Sequence, residues 1–384
     1  MKHAVRFVMM VILASAAAQP ADAQPTGSQS RIVVSIVDLG TLPGGTLSWA
    51  TDINERGQVI GTSDAAAGVF RAFLWERGSM IDLGTLPGGT TSQATAINQR
   101  GQIIGVADTP SGVQHSFLWD RGSMIDLGTL PGFTGSAPWA LNNRGQVVGE
   151  IEAETESQSW PFVWEDGRMI VLDGPGVAMA NNNRGQVVGY MNSTAFVWEK
   201  GITTDLGALP GGTSLAVDIS ERGLIVGQST NESGEGRAVL WDRGLVSDLG
   251  TLPGGSHSRA NAVNERGQVV GTSHTASGEL HAFLWQGGSM LDLGTLPGGN
   301  YSEAYAINER GQIVGISATD SGLHVFLWES GVMTDLGTLP NATPVDAARI
   351  PALNARGQVA GQSATASGDL HAVLWITRRQ GPPR

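Results

Sequence analysis

The sequence predicts an all-β fold, an eight-bladed β-propeller of four-stranded antiparallel blades closed by an N-terminal outer strand, and three observations carry that expectation. A unit of forty-odd residues recurs eight times along the chain. Each unit reads as four short strands separated by tight turns. The repeat is also out of frame with the chain ends, so that the two termini complete one unit between them. A unit this small cannot bury its own apolar face and must stack on its neighbours.

The repeat can be counted on two markers. Tryptophan recurs at Trp75, Trp119, Trp164, Trp198, Trp241, Trp285, Trp328 and Trp375, with spacings of 44, 45, 34, 43, 44, 43 and 47. An Arg-Gly pair recurs with its glycine at Gly57, Gly101, Gly145, Gly185, Gly223, Gly267, Gly311 and Gly357. The fourth copy is short and reads Val171-Leu172-Asp173-Gly174 where others read Asp-Leu-Gly, which leaves a seven-bladed ring with an excursion there as the alternative count.

The sixth copy shows the layout. Ala260–Val263 alternates and ends at Asn264. Asn264-Glu265-Arg266-Gly267 is a tight turn, with Asn suited to its first position and Gly able to take positive φ at its end. Gln268–Thr272 is rich in β-branched residues and reads as the second strand. After a polar loop come His281–Trp285 and, beyond Gln286-Gly287-Gly288, Met290–Leu293. Gly294–Gly299 crosses to the next unit, and Pro297, which has no N–H to give a ladder, belongs in that crossing. Four such strands per unit match a propeller blade. The opening Ile32–Gly40 matches a fourth strand, and the closing His371–Trp375 matches a third. The N-terminus is therefore expected to latch the last blade and remove the sheet edges that an open solenoid would leave.

The remaining segments flank this domain. Residues 1–23 read as a secretory signal, with Lys2 and Arg6, an apolar run over Phe7–Ala18 too short to span a bilayer, and Ala21-Asp22-Ala23 as the cleavage site. Residues 24–30 read as a flexible N-terminus, 31–376 as the propeller and 377–384 as a disordered tail. The mature product is expected in the periplasm or outside the cell, monomeric and without a membrane anchor. With no cysteine among 384 residues, an exported chain must be held by packing and backbone pairing alone. A formal net charge of −12, near −13 without the signal, repels phosphate backbones and argues against nucleic acid as a partner.

These segments carry a family resemblance. Leu280-His281-Ala282-Phe283-Leu284-Trp285, with Asp292-Leu293-Gly294-Thr295-Leu296-Pro297-Gly298-Gly299, resembles the bacterial HAF-family extracellular repeat over nearly all of the mature chain. Departures are Arg71-Ala72-Phe73, His115-Ser116-Phe117, Trp160-Pro161-Phe162, Thr194-Ala195-Phe196, Arg237-Ala238-Val239 and His324-Val325-Phe326. The strand layout is also similar to Kelch-type propellers. The resemblance implies export and no catalytic residue set.

Function is less legible. The eight repeated tryptophans are expected to pack between blades rather than stack on sugars. The His position (Arg71, His115, Trp160, Thr194, Arg237, His281, His324, His371) puts its histidines on different blades, too far apart to share a metal at about 2 Å per bond, so no metal and no cofactor are expected; each is expected to hydrogen-bond a nearby turn. The turn arginines Arg56, Arg100, Arg144, Arg184, Arg222, Arg266, Arg310 and Arg356 would ring one mouth of the channel, where Glu55, Glu221, Glu265 and Glu309 partly cancel their field. The opposite mouth, where second-to-third loops meet the crossings, varies most between copies. Variable loops on a rigid scaffold are the usual place for binding residues. The candidates there are Trp49, Trp139, Trp160, Tyr301 and Tyr305, with His257, Arg259, Glu303 and Asp346, as a non-catalytic platform for an extracellular polysaccharide or an envelope or secreted protein. Hydrolase, metalloprotease, phosphate-loop and calcium-loop motifs are missing. The competing readings are a glycan-degrading enzyme using Glu303 and Asp346 and a structural matrix component.

Overall fold

A computed structural model describes residues 31–155, 158–342 and 349–380; the expected signal, residues 24–30 and Asp346 lie outside the described residues. They form eight four-stranded antiparallel sheets around an axis, an eight-bladed β-propeller with almost no helix. Blade 1 runs through Ser48–Ile53, Val59–Asp64, Phe70–Glu76 and Ser79–Asp82, and blade 2 through Ser92–Ile97, Ile103–Asp108, Gln114–Asp120 and Ser123–Asp126. Blade 3 is Phe133–Leu141, Val147–Ala153, Ser159–Glu165 and Arg168–Val171; blade 4 is Gly176–Asn181, Val187–Met191, Thr194–Glu199 and Ile202–Asp205. Blade 5 is Ser214–Ile219, Ile225–Thr230, Gly236–Asp242 and Leu245–Asp248; blade 6 is Ser258–Val263, Val269–His274, Leu280–Gln286 and Ser289–Gly294. Blade 7 is Ser302–Ile307, Ile313–Thr319, Gly322–Glu329 and Val332–Asp335.

Blade 8 takes three strands from the end of the chain, Ala352–Leu353, Gln358–Ala364 and Leu370–Gln380, and its outer strand from the start, Arg31–Gly40. The latch pairs Ile32 with Arg379 and Gly40 with Ala372. It also corrects the expected tail: the third strand does not stop at 376 but continues to Gln380. The reason is that the N-terminal strand begins early enough to offer Ile32–Val34 as ladder partners to Thr377–Arg379, and Arg379 pairs with Glu329 of blade 7 at 2.7 Å.

The short fourth copy is a full blade. It saves residues in its second-to-third hairpin, where Met191 pairs with Thr194 and Asn192 and Ser193 both take positive φ, 52° and 66°. Positive φ at both central residues is the two-residue hairpin geometry that matches strand twist.

The core lies between blades. Ile60 and Leu74 of blade 1 pack with Ala94, Ile97, Ile103 and Phe117 of blade 2 in one cluster, and equivalent clusters repeat around the ring. Trp198, Trp241, Trp328 and Trp375 are buried, and the other four repeated tryptophans lie half-buried against these clusters. In blades 1 to 7 the glycine of the second strand leaves no room for a side chain. A Cβ on Gly105 would sit 1.9 Å from the Gln93 carbonyl oxygen and 2.8 Å from the Phe117 ring, because the inner strand bulges between Ala94 and Ala96 and presses its main chain toward the second strand.

At the turn end, each Asn-x-Arg-Gly turn is fastened to the next blade. Asn98 Oδ1 accepts the Arg100 and Gln102 N–H groups, while its Nδ2 donates to Gln102 Oε1 at 2.8 Å and to the Asn142 carbonyl at 3.0 Å. All the amide's capacity is used. The same bond to the next blade is made by Asn54, Asn142, Asn182, Asn264 and Asn308, and Asn354 closes the circle on Asn54 at 3.1 Å. Blade 5 carries Ser220 in place of the asparagine.

A second belt of bonds runs through the following residue. Glu55 N–H donates to Gln99, Gln99 to Asn143, Asn143 to Asn183, Asn183 to Glu221, Glu221 to Glu265 and Glu265 to Glu309. Ala355 N–H then donates to Glu55 Oε1 at 2.8 Å.

Candidate functional site

The candidate residues are placed by counting back from the turn asparagine. Five residues before it stand Trp49, Gln93, Ala137, Val177, Leu215, Arg259, Glu303 and Arg349; three before it stand Thr51, Thr95, Trp139, Met179, Val217, Asn261, Tyr305 and Pro351. Both positions lie on or at the inner strands, which line the axis. Trp49, Trp139, Arg259, Glu303 and Tyr305 are thus strand residues at the channel rather than loop residues. The loops do meet the crossings at this end, as expected: Asp64 N–H donates to the Leu47 carbonyl, and Asp64 Oδ1 accepts the Thr46 and Leu47 N–H groups at 2.8 and 2.6 Å.

Blades 6, 7, 8 and 1 bring several candidates together. The Tyr301 and Tyr305 hydroxyls both donate to Glu303 Oε2, at 2.8 and 2.9 Å. Asn261 of blade 6 donates to Glu303 Oε1 at 3.2 Å and to the Ala304 carbonyl at 2.9 Å. Burial, and then the Glu303 charge, push both phenols well above the ordinary tyrosine range, so they stay protonated as donors. On the far side of blade 8, the Arg349 guanidinium lies 4.5 Å from the centre of the Trp49 ring, a cation–π distance; burial lowers the Arg349 pKa. Phe70 backs Trp49 at 5.5 Å between ring centres. Arg259 is exposed on the inner strand of blade 6.

His257 precedes that strand, and its ring lies 5.2 Å from that of His274, with the Ser256 hydroxyl against both. Burial and the neighbouring His257 lower the His274 pKa.

Trp139 and Trp160 do not join this group. They belong to blade 3, across the ring. Trp139 Nε1 donates to Glu150 Oε1 at 3.3 Å. Trp160 stands at the His position of its third strand and packs edge-on to Phe133 at 6.4 Å.

Arg349 and Asn261 belong to the group and are absent from the sequence-based candidates. The register count would have found them, since they occupy the same two positions as Trp49 and Tyr305.

Two repeated features have local explanations. His115, His281, His324 and His371 each place Nδ1 against the outer-strand aspartate of their own blade, Asp126, Asp292, Asp335 and Asp38, at 2.8–3.0 Å. Arg237 does the same with Asp248. Each aspartate also accepts the N–H of the glycine two residues on, as in Gly294 to Asp292 at 2.7 Å. The His of one motif and the Asp-Leu-Gly of the other are therefore two halves of one clamp.

The turn arginines are all exposed. Arg56, Arg144 and Arg184 donate to the carbonyl of the next arginine in the ring, at 3.5, 3.2 and 3.2 Å, and Arg144 pairs with Glu165.

Beneath the channel-lining positions, Asp52 and Asp218 stand where the other copies carry alanine. Each accepts an N–H from the next blade, Ile97 or Val263, at 2.9 Å. Burial pushes both carboxyls up to about 6, against the pull of those bonds.

No protein-family model matches the sequence, and no curated protein matches it. Solved structures do. A crystal structure of puromycin hydrolase superposes with a TM-score of 0.51 at 14% identity, over 82% of this chain and 58% of that one. A Mycobacterium tuberculosis puromycin-hydrolyzing peptidase gives 0.48 at 13%, over 84% and 61%. The β-propeller domain of the Trilobed protease from Pyrococcus furiosus gives 0.46 at 12%, over 78% and 98%. The chain spans about three fifths of the two puromycin-hydrolysing proteins. At these identities the likeness is one of fold.

Proposed function

We propose that the protein is an exported binding platform whose ligand site is the arc of inner-strand side chains over blades 6, 7, 8 and 1, and whose ligand is an extracellular polysaccharide. The observation that carries this reading is the contrast within one register. At the two channel positions, blades 4 and 5 carry Val177, Met179, Leu215 and Val217, whereas blades 6, 7, 8 and 1 carry Arg259, Asn261, Glu303, Tyr305, Arg349 and Trp49. Identical backbone positions on one scaffold have been filled with apolar residues in blades 4 and 5, with a mixture in blades 2 and 3 (Gln93, Thr95, Ala137 and Trp139), and with every one of the charged residues in blades 6, 7 and 8. Rings that offer a flat face beside fixed hydrogen-bonding groups suit sugar rings, and two arginines favour a polymer bearing carboxylates.

The glycan-degrading alternative gains nothing from Glu303. Both its oxygens already hold donors from Tyr301, Tyr305 and Asn261, and its expected partner Asp346 lies outside the described residues.

The test is a glycan array and polysaccharide pull-down with the chain from Gln24 onward, beside Trp49→Ala and Arg259→Ala/Arg349→Ala. Saturable binding lost in both variants supports the arc. Binding that survives in both moves the site elsewhere. A blank array turns the reading toward an envelope or secreted protein partner, which cross-linking in the native envelope would capture.

A further inference from the structure

The His–Asp clamp is a structural repeat in four blades, but in one of them it has a third member. The loops before the clamp histidine in blades 2, 6 and 8 read Thr109-Pro110-Ser111-Gly112-Val113-Gln114-His115, Thr275-Ala276-Ser277-Gly278-Glu279-Leu280-His281 and Thr365-Ala366-Ser367-Gly368-Asp369-Leu370-His371. In all three the serine lies against the loop threonine, at 2.8–2.9 Å. In blades 6 and 8 it also donates to an acidic side chain of its own loop, Glu279 at 2.9 Å or Asp369 at 2.6 Å.

Blade 7 reads Thr319-Asp320-Ser321-Gly322-Leu323-His324, one residue shorter, and has no such acid between serine and histidine. The serine keeps its threonine neighbour, 3.0 Å from Thr319 Oγ1, and the deletion also brings it onto the imidazole. Ser321 Oγ lies 3.0 Å from His324 Nε2, His324 Nδ1 lies 2.8 Å from Asp335 Oδ2, and Asp335 Oδ1 accepts the Gly337 N–H at 2.8 Å.

We infer that Ser321, His324 and Asp335 form a nucleophilic site that hydrolyses small activated esters, separate from the channel arc and independent of what binds there. The geometry is that of a nucleophile, its base and the group that orients the base. Asp335 is the positioning residue. By accepting the Nδ1–H hydrogen bond it holds the tautomer whose Nε2 lone pair faces the serine hydroxyl. The His324 side chain is 19% exposed and Ser321 is exposed, so an acyl donor can reach Oγ.

The chemistry balances with water as the only co-reactant. Oγ forms a bond to the ester carbonyl carbon while its proton passes to Nε2. The tetrahedral adduct collapses with cleavage of the carbon–oxygen bond, and the leaving alcohol takes the proton from Nε2. Water, deprotonated by Nε2, then adds to the acyl-serine, and collapse of that adduct releases the carboxylic acid as Nε2 returns the proton to Oγ.

The substrate class follows from what surrounds the serine. Its N–H, which in a chymotrypsin-type site is one of the oxyanion donors, is donated to Thr319 Oγ1 at 3.1 Å. The site therefore favours esters whose leaving group departs without strong oxyanion stabilisation, aryl esters above all, and disfavours amides. The adjoining Asp320 carboxylate, which leans over Gly298 of the crossing, selects against anionic acyl donors.

The experiment treats the chain from Gln24 onward with a fluorophosphonate probe and maps the adduct by mass spectrometry, with p-nitrophenyl acetate hydrolysis alongside. The expected result is one adduct, on Ser321, absent in Ser321→Ala. Hydrolysis should drop about 100-fold in His324→Gln, the range a general base supplies, with melting curves unchanged for Ser321→Ala. Asp335→Asn should lower the rate and alter its pH profile, which a merely structural aspartate would not do. Inserting one residue after Gly322, which restores the spacing of blade 6, should abolish labelling in a folded protein. A wild-type chain that takes up no probe, or a Ser321→Ala chain labelled and active to the same extent, overturns the assignment.

Discussion

The two ends of this propeller use the same eightfold scaffold in opposite ways. At the turn end, the sequence hardly varies, and its polar groups are consumed by their neighbours: asparagine amides bond to the next blade's carbonyls, and glutamate, glutamine and asparagine side chains accept the preceding blade's N–H groups. At the loop end the register is just as regular, yet the side chains at equivalent positions range from Val177 to Arg259. Repetition at one end is structure. Divergence at the other, on a backbone that did not need it, is where recognition is to be sought. Chemical strength alone misleads here, since the eight-arginine ring is the strongest charge pattern in the sequence and lies at the structural end.

The comparison predicts first that closure dominates stability. Deleting Arg31–Gly40 strips the outer strand from blade 8 and exposes the face against which Ile32, Val34, Ile36 and Leu39 pack. At about 1.5 kcal/mol for each apolar side chain, the loss is on the order of 5 kcal/mol, and the melting temperature by calorimetry should fall by about 10 °C or more. An unchanged melt would mean that the ring does not depend on its latch.

The turn belt gives the next largest effects, of both signs. Asn98→Ala removes four hydrogen bonds, one buried and three partly buried, and should cost about 3 kcal/mol. Ser220→Asn should do the reverse. Blade 5 keeps the same turn, with Gly223 N–H on the Ser220 carbonyl at 3.0 Å, but lacks the amide that would reach the Asn264 carbonyl, and Leu224 stands where the other blades carry the glutamine that takes the amide's second N–H. Supplying it should stabilise by about 1 kcal/mol, read as a rise in denaturant midpoint. A loss of stability in Ser220→Asn would show that the belt is not a sum of equivalent links.

Asp52 and Asp218 add a pH dependence between the two ends. Their folded-state pKa, about 6, lies above the usual carboxylate value, so the native state binds their protons more tightly than the unfolded chain does. Their contribution is fully present below pH 4 and is lost as the pH rises through about 6. Each should be worth about 1 kcal/mol once solvent screening is allowed for. The wild type should therefore lose stability between pH 4.5 and 7.5 relative to Asp52→Asn/Asp218→Asn, followed by urea unfolding. Parallel profiles for the two proteins would show that burial does not hold these protons.

The periodic parts of the fold were legible because periodicity reports on packing. Eight Trp and Arg-Gly markers required eight blades, and the out-of-frame ends required the latch. The tail was misread at Thr377 because residues 377–380 carry no strand pattern of their own and are ordered by a partner more than three hundred residues away. The proposed arc was half legible. Trp49, Arg259, Tyr301, Glu303 and Tyr305 stand out in the sequence as unusual residues near variable loops. Arg349 and Asn261 needed the register count, and Trp139 and Trp160 were placed with the others although the ring sets them on the opposite side. Composition says which residues differ between copies; only the angle between blades says which of them meet.

The smallest expected effect sharpens the comparison most. Arg266 and Arg310 sit in the arginine ring with their N–H groups on Asn264 and Asn308, contacts that the main chain makes whatever the side chain is. Both side chains are exposed, a surface setting where an ion pair is worth little. Arg266→Gln and Arg310→Gln should change stability by less than about 0.5 kcal/mol and leave polysaccharide binding at the other end untouched. If instead Arg266→Gln abolished binding while Trp49→Ala left it intact, the repeated end would be the functional one, and the ring would be holding an anion through positions that repetition had hidden.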